Sequence, residues 1–258
     1  MNAVFILWLR QLKRYSRSRA RMIGMLGQPI LFLLALGFGL GPTFARAGHG
    51  NYVQFLAPGI VTMGILFTAV FSGVEIIWDR QFGFLKETLV APVSRPEVVL
   101  GRTLGGATVA LIQGGIILLV CLAVGFRPAH PLLLPVALLF MALIAILCTA
   151  IGTAIGSVLQ DMQGFQLIMN FITLPLFFFS SALFPVSDLP EAVRLAVRLD
   201  PLSYGVDGLR GVLSGGFVFG AATDFEVLGG LAVVMLAIGT HLFSKIELKV
   251  DPAHQEDR

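Results

Sequence analysis

The sequence predicts an all-α integral membrane protein. Its parts are six transmembrane helices, an N-terminal interfacial helix, a short cytoplasmic helix between spans two and three and a partly re-entrant outer segment before the last span. Three observations carry this. First, only 13% of the 258 residues are charged and 56% are hydrophobic, with a mean hydropathy of +0.87. A soluble domain carries about 25% charged residues, and a chain of this length cannot hide so much apolar surface in a core of its own. Second, Asp, Glu, Lys and Arg leave six long uncharged gaps, at 22–45, 47–74, 103–126, 128–160, 162–187 and 227–244. A membrane-crossing helix needs about 20 mostly apolar residues. Third, thirteen of the 18 Lys and Arg fall on one side of the six spans. The positive-inside rule assigns that side, with both termini, to the cytoplasm of a cell inner (plasma) membrane protein.

Residues 1–21 come first. Val4, Phe5, Trp8, Leu12 and Tyr15 fall near helical spacing, with Arg10, Lys13, Arg14 and Arg17 among them. That pattern suits a helix in the headgroup layer, in contact with membrane lipid. The transmembrane domain occupies 22–244, with spans at about 22–44, 53–76, 103–126, 132–158, 163–184 and 227–244. The apolar run of the first span is too long for a signal peptide and is followed at once by a second span. Glu75 and Asp79, at the cytoplasmic end of span two, read as side chains snorkelling to the interface. The loop at 79–100 is polar, with Gly83 and Pro92 as punctuation around one short amphipathic helix. The outer segment at 185–225 is long and partly apolar. Pro190 is placed near a helix start with Asp188 available as a cap, and Asp207 and Arg210 stand three apart, a spacing that allows pairing on one helix face. Residues 245–258 form a short polar tail.

Several chemistries are absent. No G-x-x-x-x-G-K-[ST] phosphate loop occurs, and "GFGLG" at 37–41 lies inside span one without the strand context of a dinucleotide site. Neither H-E-x-x-H nor G-x-S-x-G is present. His49, His130, His241 and His254 have no ligand spacing, so no metal site is expected. Cys121 and Cys148 lie in apolar runs and read as small buried hydrophobes. The net charge of +3 is too small to suggest a nucleic-acid binder, and the basic residues are not spread along an aromatic-rich polar face. The spans carry no central carboxylate of the kind that serves proton-driven transport. The chain is expected to be no enzyme, with no cofactor of its own.

Two stretches resemble a known family. "RQFGFLKETLVAPVSRPEVVLGRTLGG" resembles the loop between spans two and three of ATP-binding-cassette (ABC) transporter permeases of the ABC-2 type, through Arg80, Gly83, Glu87, Leu89, Pro92, Ser94, Arg95, Gly101 and Arg102. "FFFSSALFPVSDLP" and "LDPLSYGVDGLRGVL" resemble the end of span five and the outer region that follows. Phe184, Pro185, Pro190, Pro201, Leu202, Tyr204, Asp207 and Arg210 carry that likeness. The subtype is similar to bacterial drug- and antibiotic-resistance exporters.

The resemblance implies a permease subunit of an ATP-driven exporter. Two copies of an ABC ATP-binding subunit, which hold ATP and Mg2+, would dock on a coupling helix built from Arg80, Gly83, Lys86, Glu87, Pro92, Ser94 and Arg95. A second permease copy, identical or related, would complete the transporter. Pro201, Tyr204, Asp207 and Arg210 would form an outer structural motif. Phe177, Phe178 and Phe179 are the expected lining of a path for an amphipathic or hydrophobic compound, a lipid-linked molecule or a drug. The alternatives are a membrane anchoring or assembly protein without transport, and a secondary transporter.

Overall fold

A computed structural model of the chain describes residues 3–48, 50–84 and 93–245. Every regular element among them is helical, and six helical stretches are long and apolar enough to cross a membrane. Helix α1 (Ala3–Arg17) leads into α2 (Arg19–Gly39) through Ser18, whose φ of −106° and ψ of 73° break the helix. The predicted first span ends earlier than 44. Pro42 would collide with the carbonyl of Phe38 in a continuous helix, so α2 stops and a short α3 (Gly41–Arg46) follows.

The second span is two helices, α4 (Tyr52–Phe71) and α5 (Val74–Gln81). Asn51 caps α4 by accepting the Val53 amide at 2.9 Å. Pro58 lies within α4 and cannot donate to the Gln54 carbonyl; the Ser214 hydroxyl donates to that carbonyl instead, at 3.4 Å. The interruption at residues 72–73 is pressed against the fourth span. A Cβ on Gly73 would sit 2.0 Å from the Gly152 oxygen, and one on Gly152 would sit 2.2 Å from the Val70 oxygen. Only glycines permit this backbone-to-backbone approach.

Helix α6 (Arg95–Val124) starts well before the predicted 103. A gap in charge marks where charge is missing, not where a helix begins. The Glu97 carboxylate accepts from the Ser94 amide at 2.9 Å and from its hydroxyl at 2.7 Å, which starts the helix in charged sequence. The connection between α5 and α6 is therefore confined to 82–94 and is shorter than the predicted 79–100. Gly125, at φ 118°, ends α6, with the Phe126 amide donating to the Cys121 carbonyl at 2.9 Å.

The fourth span is a 3-10 turn (Pro131–Leu133) and α7 (Leu134–Val158). Asp161 caps α8 (Met162–Phe179) through the Gln163 and Gly164 amides at 2.9 and 2.6 Å. The predicted end of this span at 184 falls instead at 179, where the chain turns through Ser181 at φ 57°. The outer segment folds as a 3-10 turn (Val186–Asp188), α9 (Glu191–Leu199) and α10 (Pro201–Ser214). Helix α11 (Ala221–Ser244) ends the described chain.

Helix α4 is the centre of the bundle, packed by α2, α6, α7 and α10. In the most apolar window of its span 78% of residues are buried, against 17% for α2 and 22% each for α8 and α11. Those three helices turn large apolar side chains outward, among them Leu31, Phe171 and Val233. Such an outer surface is compatible with lipid and not with water.

Candidate functional site

The charged residues at the basic end of the bundle converge on Asp79. The last turn of α5 carries Asp79 inward, where it is only 4% exposed. Arg102, about two turns into α6, donates Nη2 to Asp79 at 2.6 Å. From α1, Arg10 donates to the other carboxylate oxygen at 3.1 Å, and Arg14 lies 3.7 Å from Asp79 and 3.8 Å from Glu75. Arg10 and Arg14 reach one site because residues four apart share a helix face. Arg14 also lies over the Trp78 ring, 5.4 Å from its centroid. The two helices that bracket the 82–94 connection, and α1 packed beside them, are thus tied to one carboxylate.

This corrects the expectation that Glu75 and Asp79 snorkel to an interface. Both are buried, and Asp79 turns toward the protein because three guanidinium groups meet it there. A buried carboxylate without such partners would be strongly disfavoured.

Helix α1 is held by more than charge. Gly101 and Gly105 of α6 let it approach closely; Cβ atoms there would come within 2.9 Å of Leu7 and 2.6 Å of Gln11. The Trp8 indole donates to Thr108 Oγ1 at 3.0 Å, and the Tyr15 hydroxyl hydrogen-bonds Gln113. Burial pushes the Tyr15 phenol above its usual range. A cavity of about 190 Å³ beside Tyr15 is bounded by Thr68, Ser72 and Glu75, next to the break in span two.

The predicted coupling residues divide. Arg80 points inward: its guanidinium donates to the Leu159 and Ser157 carbonyls at 3.0 and 2.8 Å. It satisfies the carbonyl end of α7, where positive charge is favoured. Gly83 takes φ 79° and turns the chain out of α5. Ser94 and Arg95 start α6. Lys86, Glu87 and Pro92 lie outside the described residues, and with them the predicted coupling helix.

At the opposite end Pro201 opens α10, and Asp200 caps it through the Leu202 amide at 2.9 Å. Burial pushes the Asp200 carboxyl up to about 7. Tyr204 donates to the Arg198 carbonyl at 2.9 Å and packs on Phe219. Asp207 and Arg210 do not pair, contrary to what their spacing suggests. Asp207 accepts from the Val218 amide at 2.9 Å and the Phe219 amide at 2.8 Å, holding the reversal after α10. Arg210 donates to the Ser181 carbonyl at 3.0 Å and lies 4.0 Å from the Phe55 ring centroid. Burial lowers its guanidinium to about 10, while the nearby Asp207 charge acts in the other direction.

The three phenylalanines are not brought to one surface. Phe177 is buried, edge-on to Phe32 of α2 at 6.3 Å, whereas Phe178 and Phe179 are 43% and 41% exposed. Among the described residues no cluster of His, Cys, Asp or Glu has the form of a metal site.

The Asp79 network was hidden in the sequence. Its members are separated by 69 and 23 positions. The i, i+4 arginines of α1 were a weak signal of a shared anionic partner, but nothing in the sequence named Asp79 as that partner.

Comparison with known proteins identifies the family. The sequence pattern of the ABC-2 type transporter family matches residues 2–214, from α1 through the end of α10. Nodulation protein J of Rhizobium leguminosarum bv. trifolii is 29% identical over 211 residues, covering 81% of this chain and 80% of the relative. The putative transport permease ycf38 of Pyropia yezoensis is 31% identical over 205 residues, 77% of this chain and 69% of the relative. The corresponding ycf38 protein of Cyanophora paradoxa is 28% identical over 260 residues, covering 95% and 89%. With six apolar helices and a match over nearly its whole length, the chain belongs to the ABC-2 type transporter family, as a multi-pass membrane subunit of a transport system.

Proposed function

We propose that the chain is the permease subunit of an ATP-driven exporter in a bacterial inner membrane, with its basic end and both termini in the cytoplasm. A second permease copy, identical or related, completes the route, and two copies of an ATP-binding subunit sit on the cytoplasmic face, one of them docked on the 82–94 connection of this chain. The observation that carries this reading is the position of that connection. It leaves α5 three residues after Asp79 and enters α6 seven residues before Arg102, so a force on it reaches α1, α4–α5 and α6 through one ion network. Closing the ATP-binding subunits on ATP would move these helices together. ATP shifts the permease between states only through a difference in affinity for them. Gly73, Gly152 and Gly156 provide a smooth backbone contact along which α5 can slide past α7. The cargo is amphipathic or hydrophobic, in keeping with spans that offer few polar side chains to a polar solute.

The test is reconstitution in vesicles with an ATP-binding subunit encoded beside this chain. The chain alone should hydrolyse no ATP, and the pair should move a lipophilic reporter only with hydrolysable ATP. Transport by the chain alone along a proton gradient would reject the reading in favour of a secondary transporter.

A further inference from the structure

Asp224 stands in the first turn of α11 and is wholly buried, at 0% exposure. Both of its carboxyl oxygens are closed off from solvent, with no hydrogen-bond donor among the described residues. The group within hydrogen-bonding reach is another carboxyl, that of Asp207 on α10, itself 1% exposed. The Asp207 oxygens already accept from the Val218 and Phe219 amides, an arrangement suited to an anion. One guanidinium lies near the pair, that of Arg210, and its Nη2 is turned to the Ser181 carbonyl. It offsets one negative charge and not two. The elements packed against α10 and α11 add Tyr52 on α4, Cys148 on α7, Arg194 and Arg198 on α9, and His130 before the turn that opens the fourth span. Helix α8 adds no titratable group, α6 keeps its charges at the opposite end, and Glu226 on α11 is exposed. None of these bonds Asp224.

We infer that Asp224 and Asp207 share one proton, which latches the start of the last span to the outer segment and releases it as the pH at the outer face rises. Two carboxylates buried side by side do not both ionise. A protonated carboxyl has the O–H donor that an ionised one lacks. Asp224 carries the proton and donates it to Asp207, whose anion the two amides stabilise. One proton thus gives Asp224 its partner and removes the repulsion across the contact between α10 and α11. When the proton leaves, two anions face each other there, and the first turn of α11 is pushed away from α10. A metal ion is the other means of holding two carboxylates together. A hard cation takes about six to eight oxygens, and among the described residues no third His, Cys, Asp or Glu joins the pair. The inference rests on the fold alone and does not depend on the transport reading.

The test uses the full-length chain in mixed micelles, in an Asp200→Asn background, because Asp200 titrates over an overlapping range. The infrared spectrum near neutral pH should show the carbonyl stretch of a protonated carboxyl, and adding Asp224→Asn should remove it. Reversible unfolding gives the second reading. The folded pair keeps a proton that the unfolded chain gives up, so its contribution is present at acid pH and lost as pH rises. The folding equilibrium should fall by up to about tenfold per pH unit between about pH 5 and about pH 8. Adding Asp224→Asn should remove that part of the fall, because its amide donates to Asp207 at every pH. Glu226→Gln, on the same helix and exposed, should change neither reading. A missing acid band, or a pH slope that Asp224→Asn leaves unchanged, would overturn the inference. So would failure of Asp224→Asn to fold, since the amide supplies the donor the latch needs. Stabilisation by Ca2+ or Mg2+ that disappears in Asp224→Asn would replace the proton with a metal and overturn it as well.

Discussion

Neutralising Asp79 should be among the most damaging single changes at the basic end. Asp79→Asn keeps the shape and removes the charge that faces Arg102, which is itself only 5% exposed. The Nη2 bond to Asp79 is the one hydrogen bond described for that guanidinium; its Nε and Nη1 are buried without partners. Leaving a buried charge uncompensated costs about 3–5 kcal/mol. The Arg10 and Arg14 side chains are 40% and 29% exposed, so losing their pairs adds less than about 1 kcal/mol each. The folding equilibrium should fall between about a hundredfold and several thousandfold. Arg102→Met should cost less, because Asp79 keeps Arg10 and Arg14. The double variant Asp79→Asn/Arg102→Met should be more stable than Asp79→Asn alone, since neither charge is then stranded. Reversible unfolding in mixed micelles measures all four species of the cycle. A coupling energy of at least about 2 kcal/mol is expected. Single variants within about 0.5 kcal/mol of the parent, or a double variant equal to the sum of the singles, would refute the reasoning.

Three further outcomes follow from the same geometry. Gly152→Ala places a Cβ 2.2 Å from the Val70 oxygen and should destabilise by about 3 kcal/mol or more, whereas Gly115→Ala meets open space and should gain about 0.5–1 kcal/mol; melting midpoints compare them. Asp207→Asn and Arg210→Gln should each destabilise the protein in the same unfolding assay, because they hold different partners, with a coupling energy below about 1 kcal/mol from the nearness of their charges, and a double variant milder than either single would restore a direct pair. Asp200 has a folded pKa of about 7, raised from 3.8 by burial, so the folded protein binds more protons than the unfolded one between those values. Its contribution to stability should therefore be present at acid pH and be lost as pH rises from about 4 to about 7, and Asp200→Asn should flatten that part of the melting profile; an unchanged profile contradicts it.

The six spans were legible in the sequence because the membrane imposes them: a charge in hydrocarbon is expensive, so the gaps between charges count the crossings. Their ends were less legible. Helix α6 begins at Arg95 because Ser94 and Glu97 cap it, a local signal that a search for uncharged runs passes over. The end of α2 before Pro42 was readable in the same local way. The site was readable only as a place. The polar connection and its flanking motif were visible, but the inward turn of Arg80 onto α7 depends on how α5 and α7 cross, and that crossing is set by Gly73 and Gly152, 79 positions apart. The Asp207 and Arg210 case shows the limit of spacing. Three residues apart they lie about 60° apart around the helix, and the amides of Val218 and Phe219 and the Ser181 carbonyl supply closer partners from other parts of the chain.

The central claim is that the 82–94 connection couples this permease to an ATP-binding subunit. Glu87→Lys tests it most directly, because it inverts a charge in the connection and replaces no member of the Asp79 network. Glu97 is unsuitable as its control, since its carboxylate caps α6; Glu191→Lys, exposed at the opposite end, is suitable. Capture of the ATP-binding subunit and ATP turnover are measured in vesicles holding each variant. Losing a desolvated charge contact costs about 2–5 kcal/mol, so Glu87→Lys should weaken capture at least about thirtyfold or abolish cargo-stimulated turnover, while Glu191→Lys matches the parent. Parent-like capture and turnover in Glu87→Lys would contradict the account.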